Sequence, residues 1–467
     1  MDIDSYRKWA RQAVDWTAKY QAELGTQPVR PNAAPGTIAA ALPDSPPEDP
    51  EPMETIFADF ERIVPSGLTH WQHPRFFAYF PSNAHRASMV AEHLVAGIAV
   101  NAMLWQTSPA ATEIEGKMVR WLASALGLPA QWSGLIQDAA STATLCAVLT
   151  MRERALGWAG IAQGVAGGPT PRIYASAQNH SSIDKACWIA GIGQDNLVKI
   201  PTDASHAMDP AALRAAIAAD REAGFVPAGV VIVVGGTAVG ASDRVAEIAG
   251  IARAEGLYTH LDAAWAGSAM ICPEFRSLWE GVELCDSVVF NPHKWLGANF
   301  DCSVQFLADP MDQIKTLGLR PDYLQTPGQS DIVNYSEWTV PLGRRFRALK
   351  LWFLLRAEGV SGLRRIIRNH VAWTQAAHDR IARIPGIEIT TAPALALFSF
   401  AMTAGDAASR DLIERINAAG RIYLTQTTHE GRFVIRFTVG TIDCTEADVM
   451  EAVEVIAEAA NPARRGP

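Results

Sequence analysis

The stretch Asn291-Pro292-His293-Lys294-Trp295 decides how the rest of the chain is read. Just before it, Ser287-Val288-Val289-Phe290 is short, apolar and partly β-branched, the composition of a buried strand. Proline has no N–H to give to a central ladder, so that strand should end at Pro292 and leave His293 and Lys294 at its mouth. A second stretch, His260-Leu261-Asp262-Ala263-Ala264-Trp265, ends the apolar run 257–261 in the same way. An Asp and a Lys at the carboxyl ends of neighbouring strands suit the open edge of an α/β sheet, where ligands bind. Taken singly, Lys294 also reads as a solvated strand-end lysine and Asp262 as a helix cap. It is the pair, with His180 upstream, that points to chemistry.

Outward from this centre, strand-like runs at 172–175, 197–200, 230–234, 257–261, 287–290 and 303–307 alternate with alanine-rich helical segments such as 209–223 and 244–255. That alternation implies an α/β fold with a mainly parallel sheet covered on both faces. Residues 5–24 have helical periodicity, with Tyr6, Trp9, Ala13, Trp16, Tyr20 and Leu24 on one face; 27–52, rich in proline and small residues, read as an extended connector. A helical pattern spans 86–105, and Ser108-Pro109 starts another helix that Gly127 should stop. Residues 308–335 change character: 315–329 carry prolines, glycines and polar residues around Tyr323, the composition of a lid. A long helical pattern follows Arg344 towards Pro385-Gly386, and the remainder mixes strands (387–391, 397–402, 433–438) with helices (406–419, 445–460). The expected organisation is an N-terminal helical arm and connector over 1–85, a large domain over 86–345 and a small C-terminal α+β domain over 346–467.

At 467 residues the chain exceeds the size at which one core stops growing. A net charge of −9 argues against nucleic acid or an anionic membrane surface as partner, so any bound anion must be held locally, by a helix N-terminus or a few placed donors. The six cysteines show neither CxxC pairs nor metal-like spacing with histidine, which predicts buried free thiols, a reducing compartment and no metal site. No run approaches the ~18–20 apolar residues of a membrane helix, and MDIDSYRKWARQ lacks the apolar core of a signal peptide, so a cytoplasmic location is expected.

The segments HPRFFAYFPS (73–82), TSPAATEIE (107–115), GLIQDAASTATL (134–145), NHSSIDKA (179–186), HLDAAWAGSAMICPEFR (260–276), NPHKWLGANFDC (291–302), PDYL (321–324) and PLGRRFRALK (341–350) together resemble the group II pyridoxal 5′-phosphate (PLP) decarboxylases of fold-type I, and within them the aromatic-L-amino-acid decarboxylases. The resemblance implies PLP as cofactor and conversion of an aromatic L-amino acid, tryptophan or a hydroxylated ring favoured, to its amine and CO2. Two other activities stay open, aromatic aldehyde synthesis and decarboxylation of a non-aromatic amino acid. A non-catalytic PLP-binding protein is disfavoured by the joint presence of Lys294, Asp262, His180 and Tyr323.

Residue by residue, the resemblance implies that Lys294 holds the cofactor covalently, with His293 beside it. Asp262 faces the pyridine nitrogen and Ala264 packs under the ring. His180 stacks on the ring and positions the substrate carboxylate or relays a proton, and Thr237 lies close by. Ala139, Ala140 and Ser141, with Asn291, cup the phosphate. Here the chain departs from the commoner family pattern, having Asp138-Ala139 where glycine and then serine or threonine are usual. Tyr323 corresponds to the lid tyrosine that returns a proton to the α-carbon. The substrate pocket is implied to be walled by Trp71, Tyr79, Phe80, Pro81 and Ser82, with Gly343 at its end and Asn101 and Met103 reaching in from a second subunit. The N-terminal arm would pack on that subunit in a homodimer; packing on its own chain is the alternative.

Overall fold

The computed structural model describes residues 1–319 and 332–461. A seven-stranded sheet is formed by β1 (Ser133–Gln137), β2 (Pro171–Ser176), β3 (Leu197–Ile200), β4 (Val226–Val233), β5 (Tyr258–Asp262), β6 (Ser287–Phe290) and β7 (Ser303–Leu307), in the order β1-β7-β6-β5-β4-β2-β3. Strands β3, β2, β4, β5 and β6 are parallel, whereas β7 is antiparallel to both β6 and β1. Two reversals restore the direction, so β1 ends at the same edge as β5 and β6. Every residue of β5, β6 and β7 is buried, so none of the three shows the inside–outside alternation of a half-exposed strand.

Strand β1 is the one the sequence hides. Its five residues, SGLIQ, contain a glycine, which weakens a strand signal, yet the glycine is required. A Cβ on Gly134 would lie 2.3 Å from the Gln305 carbonyl oxygen of β7.

In chain order the helices are α1 (Ile3–Glu23), α2 (Met53–Ile63), α3 (Arg86–Ile98), α4 (Pro109–Leu126), α5 (Ala140–Ala155), α6 (Ala159–Gln163) and α7 (Ser182–Ile189). They continue as α8 (Pro210–Glu222), α9 (Val245–Ala254), α10 (Met311–Leu317), α11 (Ala348–Ile381), α12 (Asp406–Ala418) and α13 (Glu446–Ala460). Ser108 caps α4 by accepting the Ala111 N–H, and Gly127 ends it in the left-handed conformation. The helical pattern expected over 86–105 is cut short: α3 ends at Ile98, and Ala99 adopts φ 52°. The long helix expected beyond Arg344 is α11, broken at Gly359, whose φ of 63° a side chain would oppose.

The chain divides into two compact units: Ser82–Ala372 with Thr391–Phe398, which holds the seven-stranded sheet, and Met1–Pro81 with Trp373–Thr390 and the chain from Ser399 onward. The second sheet, in the order β10-β11-β9-β8, comprises β8 (Ile387–Ala394), β9 (Leu397–Met402), β10 (Thr425–His429) and β11 (Arg432–Thr438). Phe77 stacks on Phe437 with centroids 4.7 Å apart, while the Thr438 N–H donates to the Phe77 carbonyl at 3.0 Å. α1 and α2 meet through aromatic pairs, Trp9–Phe57 at 5.5 Å and Trp16–Phe60 at 4.8 Å, yet no residue of α1 is buried. Among the described residues no helix is long and apolar enough to cross a membrane.

Candidate active site

The carboxyl edge of the large sheet collects the polar residues. Asp262 ends β5, buried, and its Oδ1 accepts the Ala264 N–H at 2.9 Å. Beyond the strand ends the backbone stays tied: Ala263 N–H donates to the Val289 carbonyl at 3.0 Å, and Asn291 N–H to the Ala264 carbonyl at 2.8 Å. This ties the residues that follow β5 to those that follow β6. Asn291 is anchored in turn by the Ser303 hydroxyl, which donates to its Oδ1.

After Asn291 the chain makes a wide turn, Pro292–Leu296, which Gly297 ends at φ 105°. The turn starts with the Lys294 N–H donating to the Asn291 carbonyl at 2.9 Å. His293 is turned into the scaffold: its Nδ1 accepts the Cys302 N–H at 2.8 Å and its ring packs on Phe300. Burial, with the Lys294 charge next in importance, lowers its pKa to about 3, so this imidazole is neutral and serves as a strut.

His180 lies between β2 and α7, where its Nδ1 accepts the Ser182 N–H at 3.1 Å and its carbonyl accepts that of Ile183. An Nδ1 that accepts carries its lone pair, so the proton of the neutral ring is on Nε2. The ring reaches the surface of the cleft, yet desolvation by the surrounding protein is the largest influence on it and lowers its pKa; Asp262 opposes this and Lys294 adds to it. His180, Asp262 and Lys294 therefore share one electrostatic neighbourhood.

Thr237 is on the exposed tip of the turn after β4, which closes through the Gly236 N–H to the Ala241 carbonyl at 2.8 Å. Beneath the turn, buried Asp243 accepts the N–H groups of Met208 and Val233, at 2.7 and 2.8 Å.

α5 follows β1 at the same edge. Its N-cap is Ala139, in extended conformation and without a side-chain cap. The first-turn N–H groups of Ala140 and Ser141 have no acceptor within the helix, so together they form an anion-binding end. Asp138 stands beside it with one carboxylate oxygen buried and, among the described residues, unpartnered. A ligand with a phosphate, a basic ring nitrogen and an aldehyde fits what is here: the end of α5, the Asp262 carboxylate, the Lys294 amine and, in Ala264, a side chain too small to block a flat ring.

The other residues read from the sequence fall as follows. Trp71 and Tyr79 are exposed in the smaller unit and stack with centroids 5.5 Å apart. Phe80 is buried beneath the Arg436 guanidinium, 5.2 Å from the ring centroid, and Pro81 is packed against Gly440. Ser82 begins the larger unit. In that unit Asn101, Met103 and Gly343 lie together: Asn101 Oδ1 accepts the Arg344 N–H at 3.0 Å, its Nδ2 lies 3.7 Å from the Met103 sulfur, and a Cβ on Gly343 would come 3.7 Å from the Asn101 Nδ2. Tyr323 lies outside the described residues.

Two supports are not among the site residues read from the sequence. Buried Asn83 donates from its Nδ2 to the Lys294 carbonyl at 2.7 Å and from its backbone to the His293 carbonyl at 3.2 Å. Lys350, fully buried on α11, donates to the carbonyls of Asn299 and Asp301 at 3.0 and 2.9 Å and pairs with Glu92 at 2.6 Å, fixing the loop that leaves the lysine turn. Membership of the segment PLGRRFRALK was the one hint that Lys350 matters.

Comparison with known proteins agrees with this geometry. Residues 35–403 match the family model described as the pyridoxal-dependent decarboxylase conserved domain. The chain is 38% identical to aromatic-L-amino-acid decarboxylase of Rattus norvegicus, over 100% of its own length and 99% of the rat enzyme. It is 36% identical to phenylacetaldehyde synthase of Arabidopsis thaliana, over 99% and 97%. A crystal structure of Oryza sativa TDC with PLP and tryptamine superposes with a TM-score of 0.95 at 36% identity, covering 98% of both chains. With a full-length match in sequence, a matching fold, and a lysine, a carboxylate and an anion-binding helix end on one sheet edge, the chain belongs to the group II PLP-dependent decarboxylases, in the aromatic-L-amino-acid, tryptophan and tyrosine decarboxylase family.

Proposed function

We propose that this enzyme converts an aromatic L-amino acid, with tryptophan or a hydroxylated ring favoured, to its amine and CO2, and does so as a homodimer. The observation that carries the reading is the convergence of Lys294, Asp262 and His180 on one sheet edge beside the uncapped end of α5. Bound PLP supplies an electron sink for the pair left on the α-carbon when CO2 departs. Lys294 supplies the amine that takes up the cofactor and releases product. Asp262, an anion fixed by the Ala264 N–H, keeps a proton on the pyridine nitrogen. His180, with its proton on Nε2, offers a donor to the substrate carboxylate. Tyr323 is assigned the return of a proton to the α-carbon, on its place in the sequence.

Preference among aromatic rings is assigned to Asn101 and Gly343. Because they are neighbours in one chain, a subunit that lends Asn101 to its partner's pocket lends Gly343 with it. The Asn101 carbonyl accepts the Arg344 N–H and keeps a second lone pair, and its Nδ2 carries N–H donors. A phenolic or catecholic oxygen can accept from that amide, and an indole N–H can donate to it. The homodimer is supported by α1, an aromatic-rich helix with no buried residue.

The test is a panel of amino acids with amine, aldehyde and CO2 all quantified, run beside Lys294→Ala. Amine and CO2 in equal amounts from aromatic substrates, and no multiple turnover by the variant, are expected. Aldehyde with ammonia would make it an aldehyde synthase; glutamate or histidine outranking every aromatic would overturn the substrate class.

A further inference from the structure

We infer that Asp138 weakens this enzyme's hold on the phosphate of its cofactor, so that the enzyme exchanges PLP with the free pool instead of retaining it. The inference rests on the assignment of the α5 end to the phosphate. Strand β1 ends at Gln137, which pairs with Ser303 of β7, and Ser303 in turn holds Asn291. Asp138 therefore leaves the sheet at the carboxyl edge, two strands from Asn291, roughly 10 Å away at the usual interstrand spacing. It directly precedes the N-cap of α5, whose own side chain is a methyl group that donates nothing.

One oxygen of the Asp138 carboxylate is buried and has no hydrogen-bond partner among the described residues. A buried, unpaired acceptor is costly, and at this place it also sets a negative charge beside the donors that would hold a dianion. A cation stands within electrostatic reach, Arg347, but its guanidinium is already committed to Asp301 through two hydrogen bonds of 3.0 and 3.1 Å. The carboxylate is thus only partly offset. Its repulsion acts on the phosphate and not on the ring or the aldehyde, which meet Asp262 and Lys294.

The test follows release of PLP from full-length holoenzyme after dilution, by loss of its visible absorption, and then reloading with PLP or with pyridoxal, which lacks the phosphate. Asp138→Asn is expected to bind PLP at least tenfold more tightly and release it correspondingly more slowly, with pyridoxal affinity changed less than twofold. Asp138→Ser, which also removes the charge, serves should the Asn variant fold poorly. Equal PLP affinity in parent and variant, or an equal shift for PLP and pyridoxal, overturns the inference. Absence of a Lys294-dependent absorption band in the parent would instead overturn the cofactor-site assignment on which it rests.

Discussion

The side chain of Asn83 and the backbone of Lys294 are directly bonded: the asparagine Nδ2 donates to the lysine carbonyl at 2.7 Å. With the Asn83 N–H on the His293 carbonyl at 3.2 Å, the chain just before α3 braces the reactive turn from outside the sheet. The His85 N–H extends the brace to the Gly297 carbonyl at 3.0 Å. The lysine needs its side chain to move and its backbone to stay. These bonds hold the backbone of the turn.

Asn83→Ala should therefore remove this bond from the part-buried Lys294 carbonyl, a loss of about 1 kcal/mol in stability. Turnover should fall on the order of tenfold, because a misplacement near 1 Å is costly at a reacting amine. Thermal melting and steady-state kinetics check both; unchanged kcat would mean that the remaining bonds of the turn suffice.

Lys350→Met removes a fully buried ammonium and leaves two backbone carbonyls without that donor, while Glu92 keeps its ion pair with Arg345. Leaving buried carbonyls without their donor costs about 1–3 kcal/mol. Urea unfolding of the variant beside the parent checks the loss.

Acid should destabilise the fold through neutral buried histidines. Burial lowers His260 to about 4, and lowers His293 and His370 to about 3. His370 also accepts the Trp295 indole N–H at 2.9 Å, a bond its protonated form cannot make at that nitrogen. Above pH ~6.5 both folded and unfolded chains hold these rings neutral, and they contribute nothing to the pH dependence. As pH falls below that value the unfolded chain takes up protons the native state refuses, so each ring costs on the order of 2 kcal/mol by pH 5. Asp243, which burial raises to about 6, acts in the opposite sense. Its native state binds a proton first, returning about 1 kcal/mol at pH 5. Urea unfolding at pH 7 and pH 5 should show a net loss, with a shallower slope in His370→Gln.

Gly343→Ser probes ring preference without disturbing the fold, since its Cβ would meet nothing nearer than the Asn101 amide at 3.7 Å. The added hydroxymethyl takes room that a second fused ring needs. kcat/KM for tryptophan should drop about tenfold and that for tyrosine less than threefold. Equal losses would remove Gly343 from the pocket.

Some of this molecule is written locally. β6 and β7 follow from short apolar runs, and α4 is set between Ser108-Pro109 and Gly127, because caps, proline and glycine act on their immediate neighbours. The placing of Asp262 and Lys294 at strand mouths is legible for the same reason. Other features depend on residues distant in sequence. Gly134 is required by a carbonyl of β7 more than 150 residues away, and α3 stops at Ile98 inside a helical pattern that continues beyond it. Asn83 braces a turn 211 positions later, and Lys350 is charged yet fully buried because Glu92 and two loop carbonyls surround it. The tautomer of His180 and the unpartnered oxygen of Asp138 belong to this second kind. Burial and hydrogen bonding arise when separate segments meet, so side-chain identity alone does not encode them.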